Sequence, residues 1–160
     1  MSLFSAGPDL DQLDARLCNA PVLTVELLSD ILETSCPRLA LLRHTDRAAR
    51  TEQMIALGAW TDAALALLAL ELPQWHLRRL VYDDGEWYCA LSSRCEMPEW
   101  LDPSVEAHHA DLPIAILRAF VSARQVSAPS IRSSVPTAPR AASEYYEPEH
   151  YEPMCCDNFA

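Results

Sequence analysis

Apolar side chains return every three or four positions along the first part of the chain: Leu10, Leu13 and Leu17, then Leu23, Leu27, Leu28, Ile31 and Leu32. A helix completes a turn in about 3.6 residues, so this spacing gathers them into one stripe with polar positions opposite. The pattern predicts a first helix over about 9–18, opened by an Asp9–Gln12 capping box, and a second over about 21–34, after the break at Asn19-Ala20-Pro21. Cys36-Pro37 marks a restart with proline in the first turn, and Leu39, Leu41 and Leu42 carry a short third helix ending near His44. Thr45 is placed to cap a fourth helix, with Gly58 just past its end; Thr61 caps a fifth over about 62–72, stopped at Pro73. The run 63–70 is apolar nearly all round, which predicts that the fifth helix is the most buried. The same stretch also reads as one bent helix spanning the fourth and fifth.

From residue 75 the helical period gives way to strand chemistry. In WHLRRLVYDDGEWYCALS, two runs rich in aromatic and branched residues flank Asp84-Gly85, the strongest hairpin signal in the chain. A two-residue turn sets Tyr82 opposite Trp87 and Leu80 opposite Cys89 on one face, with Val81 opposite Tyr88 and Arg79 opposite Ala90 on the other. Arg78 and Arg79 fall on different faces, so neither face is polar throughout, and a slip of one residue would exchange the two. A lone ribbon is only marginally stable and needs helices or a third strand. The stretch 93–100 could supply that strand, held to an edge or loop by Pro98. Asp102-Pro103 reads as a helix start leading into SVEAHHAD, with a restart near Asp111 imposed by Pro113. A last helix over about 112–124 lines up Ile114, Ile116, Leu117, Phe120 and Val121, with Arg118, Ser122 and Arg124 opposite. It is expected to cover the hairpin or the fifth helix. Trp75, Tyr82, Trp87, Tyr88 and Trp100 then read as internal filler between flanking helices.

These elements make one α+β domain over 9–125, mainly helical, with a central β-hairpin, open to extension by a third strand, packed against helices. After Gln125 the chain is rich in Ser, Pro and Ala with few aliphatic residues, so 126–160 is expected to be a disordered tail.

Charge and composition narrow the function. The 160 residues carry a formal net charge of −11, and all 12 basic residues are arginine. That balance argues against capture of nucleic acid or an anionic membrane and suits a basic partner. Arginine-only usage with abundant alanine points to a GC-rich bacterial genome. The first residues show no basic region followed by an apolar one, so no export signal is expected, and the longest apolar run, 63–70, is too short for a bilayer. The six cysteines are therefore expected to be reduced thiols in the cytoplasm, with Cys18, Cys36 and Cys89 as small core residues. The three glycines are isolated, which excludes a P-loop and a dinucleotide fingerprint. No GxSxG elbow, HExxH pair or calcium loop occurs. No cofactor is expected.

Several clusters carry candidate chemistry. Cys89, Cys95, His108 and His109 are zinc-type ligands, but five residues separate the cysteines, and adjacent histidines on a helix diverge by about 100°. As helix-surface residues they need no metal. Asp83, Asp84, Glu86 and His76 could do acid–base work if buried, though carboxylates at a hairpin tip ordinarily serve the turn and solubility. No recognised motif surrounds Cys89 as a nucleophile. Arg38, Arg43, Arg47 and Arg50 form the one basic cluster, either a contact patch for an acidic partner or nucleic acid, or a solvated helix face. The repeated Tyr146-Glu147-Pro148 and Tyr151-Glu152-Pro153 look like linear docking motifs, with Cys155-Cys156 as a thiol pair near the end.

The block AWTDAALALLALELPQWHLRRLVYDDGEWYCALS, continuing through LPIAILRAFVSAR, resembles a set of small bacterial proteins without assigned activity, over roughly residues 10–124. Over 62–122 the layout is also similar to small α–β–α sandwich domains of phage origin. A layout of helix, hairpin and helix invites comparison with double-stranded-RNA-binding domains too, but the last helix offers only Arg118 and Arg124. None of these likenesses rests on a catalytic motif, so no functional residues carry over. The expected function is therefore that of a non-enzymatic cytoplasmic module acting on an unidentified protein partner, with Arg43, Arg47, Arg50, Tyr146 and Tyr151 as contact candidates. The alternatives are a small-molecule binder or enzyme using the aromatic hairpin surface, and a weak nucleic-acid binder using the 38–50 arginines.

Overall fold

Thr24 and Thr45 set two helix starts. Each hydroxyl accepts a hydrogen bond from the backbone N–H three residues on, Leu27 and Ala48 respectively, at 3.3 Å. These bonds replace ones the first turn cannot make within itself. The computed structural model, which describes residues 6–93 and 104–127, holds five helices in succession: α1 (Ala6–Asn19), α2 (Val25–Ser35), α3 (Pro37–Leu41), α4 (Asp46–Ala56) and α5 (Trp60–Glu71). There follow β1 (His76–Asp83), β2 (Glu86–Ser92), β3 (Ser104–His109) and α6 (Leu112–Ser127), giving the expected α+β class. The second helix starts after the Thr24 cap and not near Pro21, because proline tolerates a first turn but supplies no acceptor for its amides. Gly58, at φ +70°, donates its N–H to the Ile55 carbonyl while Ala59 donates to Met54. This Schellman closure separates α4 and α5, which are two helices and not one bent one.

The sheet is antiparallel in the order β1-β2-β3. Its hairpin has the expected register, with Leu80 opposite Cys89, Val81 opposite Tyr88 and Tyr82 opposite Trp87. The two adjacent arginines are resolved by a bulge: Leu77 pairs with Leu91 and Arg79 with Ala90, leaving Arg78 as the extra residue. Asp84 at φ 50° and Gly85 at φ 91° make the turn, both in the left-handed region that Asp-Gly accepts readily.

Two expectations are corrected here. SVEAHHAD is not the start of a helix; its first six residues are β3, paired with β2 from Ser104–Ser92 to His109–Trp87. Val105, Ala107 and His109 are buried while Ser104, Glu106 and His108 are exposed, an alternation only a strand gives. The edge of β2 and the apolar face of α6 together outweigh the local Asp-Pro signal. The remaining candidate strand, 94–100, lies outside the described residues.

The second correction concerns the centre of the molecule. α6, not α5, is the most buried helix: Ile114, Ala115, Ile116, Leu117, Ala119, Phe120, Val121 and Ala123 are all buried. It packs against β2 and β3 on one side and α1 and α5 on the other. Asp111 begins it, accepting from the Ile114 N–H at 3.2 Å through Oδ1. At its far end Ser127 Oγ accepts from the Trp75 indole N–H at 2.8 Å. α5 is covered by α3, α4 and α6, yet Asp62 and Ala69 stay exposed. Its last residue, Glu71, is buried and accepts from the N–H groups of Arg38 and Leu39, capping α3 from across the core. Cys36 and Cys89 are buried as expected, whereas Cys18 is exposed on α1. Among the described residues no helix is long and apolar enough to cross a membrane.

Candidate functional site

Because side chains alternate along strands, the three registers sort the sheet into two faces. Leu77, Leu80 and Tyr82 of β1 lie level with Leu91, Cys89 and Trp87 of β2 and with Val105, Ala107 and His109 of β3, on the face against α6. The other face carries Arg79, Val81 and Asp83, then Ala90, Tyr88 and Glu86, then Glu106 and His108. Among the described elements only α6 packs closely on this sheet, and on the other face Ala90 and Ser92 are buried while Asp83 and Glu86 at the turn end are exposed. The aromatic rings divide accordingly. Trp75 is buried and Trp87 packs on the core, but Tyr88 stands on the open face and Tyr82 is 57% exposed at the edge. Trp100 lies outside the described residues.

The open face is concave. Val81, Tyr88 and His108 form its floor, and Arg79, Asp83, Asp84 and Glu86 its rim, around a volume of about 580 Å³. The Tyr88 and His108 rings meet at 4.8 Å between centroids, tilted by 59°. The Arg79 guanidinium carbon lies 5.7 Å from the Tyr88 ring centre, within cation–π range. Three carboxylates thus share a rim with one guanidinium. Arg118 feels Glu86 from the helix side, but its own donors go to Asp14 at 3.0 and 3.4 Å and to the His108 carbonyl at 2.8 Å. The Asp14 bond holds the guanidinium charged, above its ordinary range, and ties α1, α6 and β3 together.

This arrangement joins some sequence candidates and separates others. Asp83, Asp84 and Glu86 do meet, with His108 and Tyr88 as companions. His76 sits at the far end of β1, opposite Ser92. Cys89 and His108 point to opposite faces, so of the two histidines β-sheet geometry leaves only His109 on the Cys89 side; Cys95 lies outside the described residues. Among the described residues no three His, Cys, Asp or Glu side chains converge to hold a metal. The two histidines, on a strand, face opposite ways: His108 is exposed, and buried His109 accepts from the Asp111 N–H at 2.9 Å through Nδ1. Burial pushes the Cys89 thiol up to about 12, and burial with Glu71 nearby raises that of Cys36 further. Neither supplies a thiolate at neutral pH.

The arginine cluster is divided. Arg38 reaches the Leu70 carbonyl at 3.5 Å, the outer limit of a hydrogen bond. Arg43 borders a groove of about 370 Å³ with Glu33, Glu52 and Ile55. Arg47 and Arg50 border a different one of about 190 Å³, with Met54, Ala66 and Ala69. Tyr146, Tyr151, Cys155 and Cys156 lie outside the described residues.

Reading the residues alone, as above, does not bring Arg79, Tyr88 and His108 together. The signal that finds them is the polar–apolar alternation from Ser104 to His109, which places His108 beside Tyr88 once it is taken as a strand. Comparison with protein-family models, curated proteins and solved structures finds no match for the chain.

Proposed function

We propose that the protein is a non-enzymatic interaction module of the cytoplasm, and that the open sheet face receives a basic segment of a protein partner. One observation carries this reading: a concave, solvent-open surface with an apolar and aromatic floor and an acid-rich rim. Tyr88 and Val81 offer area that a segment can cover, and three carboxylates against one guanidinium favour cations at the rim. The chain's net charge of −11 steers the same class of partner from a distance.

The test is a titration of the isotope-labelled protein, followed by amide spectra, with a short arginine-rich peptide and a glutamate-rich one of equal length. The expected result is saturable shifts at Val81, Tyr88 and His108 with the basic peptide only, weakened severalfold by Glu86→Lys. Equal response to both peptides, or shifts confined to other surfaces, would overturn the reading.

The volume of the concavity favours one further reading. About 580 Å³ lies within the range of small-molecule sites, roughly 300–1,000 Å³. A fragment screen giving saturable binders on these same amides, with the basic peptide inert, would move the assignment to a small-molecule binder.

A further inference from the structure

β1 is an outer strand. One side pairs with β2; among the described residues the other side pairs with nothing. The turn determines which backbone groups face that open side. In a two-residue hairpin turn the flanking residues, here Asp83 and Glu86, form a hydrogen-bonded pair, and such pairs then recur at every second position. Val81–Tyr88 and Arg79–Ala90 are therefore bonded pairs too, which leaves the N–H and C=O of Leu80 and Tyr82 pointing away from β2. Natural edges are usually blunted by a bulge, proline or lysine. Here the bulge at Arg78 blunts the first part of β1, but 79–83 runs regular and free of proline and lysine. Leu80 and Val81 are half-buried, and Tyr82 is 57% exposed.

We propose that this edge pairs antiparallel with the same edge of a second copy, about a two-fold axis through Val81, joining two three-stranded sheets into one of six strands. The register follows from the residues. Centring on Leu80 would set Tyr82 against the bulged Arg78, and centring on Tyr82 would run Leu80 into the turn. Centring on Val81 keeps the pairing within the regular segment. It bonds the outward groups of Leu80 to those of Tyr82 of the partner subunit, and the reverse. It also sets Arg79 opposite Asp83 of the partner subunit twice, at non-hydrogen-bonded positions, where side chains approach most closely. Leu80 then meets the exposed tyrosine ring on the α6 side, and the two Val81 side chains meet on the open side. This self-association does not depend on the basic-segment reading, since a monomer would retain its own open face.

The contact is small, so the dimer is weak and its population depends on concentration. Sedimentation velocity on the full chain, in a concentration series, is expected to show mass rising from one chain to two. Arg79→Asp and Asp83→Arg each place like charges opposite one another, and each raises the concentration for half-association about tenfold or more. The double swap, Arg79→Asp with Asp83→Arg, restores association. Tyr82→Pro removes an outward N–H that β2 does not use, and abolishes association while the circular dichroism of the monomer is retained. In amide exchange, Leu80 and Tyr82 gain protection with concentration. A wild-type chain monomeric up to about 1 mM, or single charge variants that associate like the wild type, would overturn the proposal. So would association of the double swap that is no better than either single variant.

Discussion

Replacing Glu71 tests how the short helix α3 is held. With Cys36 as its N-cap residue, α3 has no side-chain cap of its own. Pro37 carries no N–H, and the next two amides, Arg38 and Leu39, donate instead to the two Glu71 oxygens at 3.2 and 2.7 Å. The carboxylate stands at the C-terminal end of α5, where that helix's own dipole disfavours it, and it is only 3% exposed. The positive end of α3 and two charge-assisted bonds offset both costs. A hydrogen bond to a charged group contributes about 1.5–3 kcal/mol, and removing the buried carboxylate relieves part of its own desolvation. Glu71→Ala should therefore cost about 2–4 kcal/mol, a large share of a typical total near 5–15 kcal/mol. Glu71→Gln keeps one acceptor but turns a donor toward the second amide, so it should also destabilise measurably. Urea unfolding followed by circular dichroism gives the loss. Amide exchange locates it, with Arg38 and Leu39 losing protection in the alanine variant before the amides of α6 do. A loss below about 1 kcal/mol for Glu71→Ala, or unchanged protection at Arg38 and Leu39, would refute the capping argument.

Two further outcomes follow from the core. Because the folded state holds the Cys36 and Cys89 protons more tightly than an unfolded thiol at 9.0, their contribution is fully present below pH 9 and fades as pH rises above it. Stability should fall by up to about 1.4 kcal/mol per pH unit per thiol above that point, and Cys36→Ala with Cys89→Ala should flatten the slope; equal slopes would contradict it. Leu117→Ala, at a fully buried position of α6, should cost about 2–5 kcal/mol in urea unfolding, and Leu65→Ala, half-buried on α5, about half as much; the reverse order would deny α6 its central place.

Local chemistry was sufficient for much of this protein. The leucine spacing, the Thr45 cap, the Gly58 closure and the Asp84-Gly85 turn act within a few residues, so their consequences are written in the sequence; the hairpin register, open to a one-residue slip on the residues alone, was fixed by the sheet and its bulge at Arg78. Tertiary structure decided what depends on partners distant in the chain. Ser104–His109 has too little intrinsic preference to choose a strand, and chose it because β2 offered an unpaired edge and α6 an apolar face. The same choice turned His108 toward Tyr88 and parted it from Cys89. Glu71 would read as an ordinary helix-end acid, yet it caps a helix more than thirty residues earlier in the chain. The open sheet face also belongs to packing: periodicity says that a strand has two sides, while only the arrangement of the helices says which one stays in water.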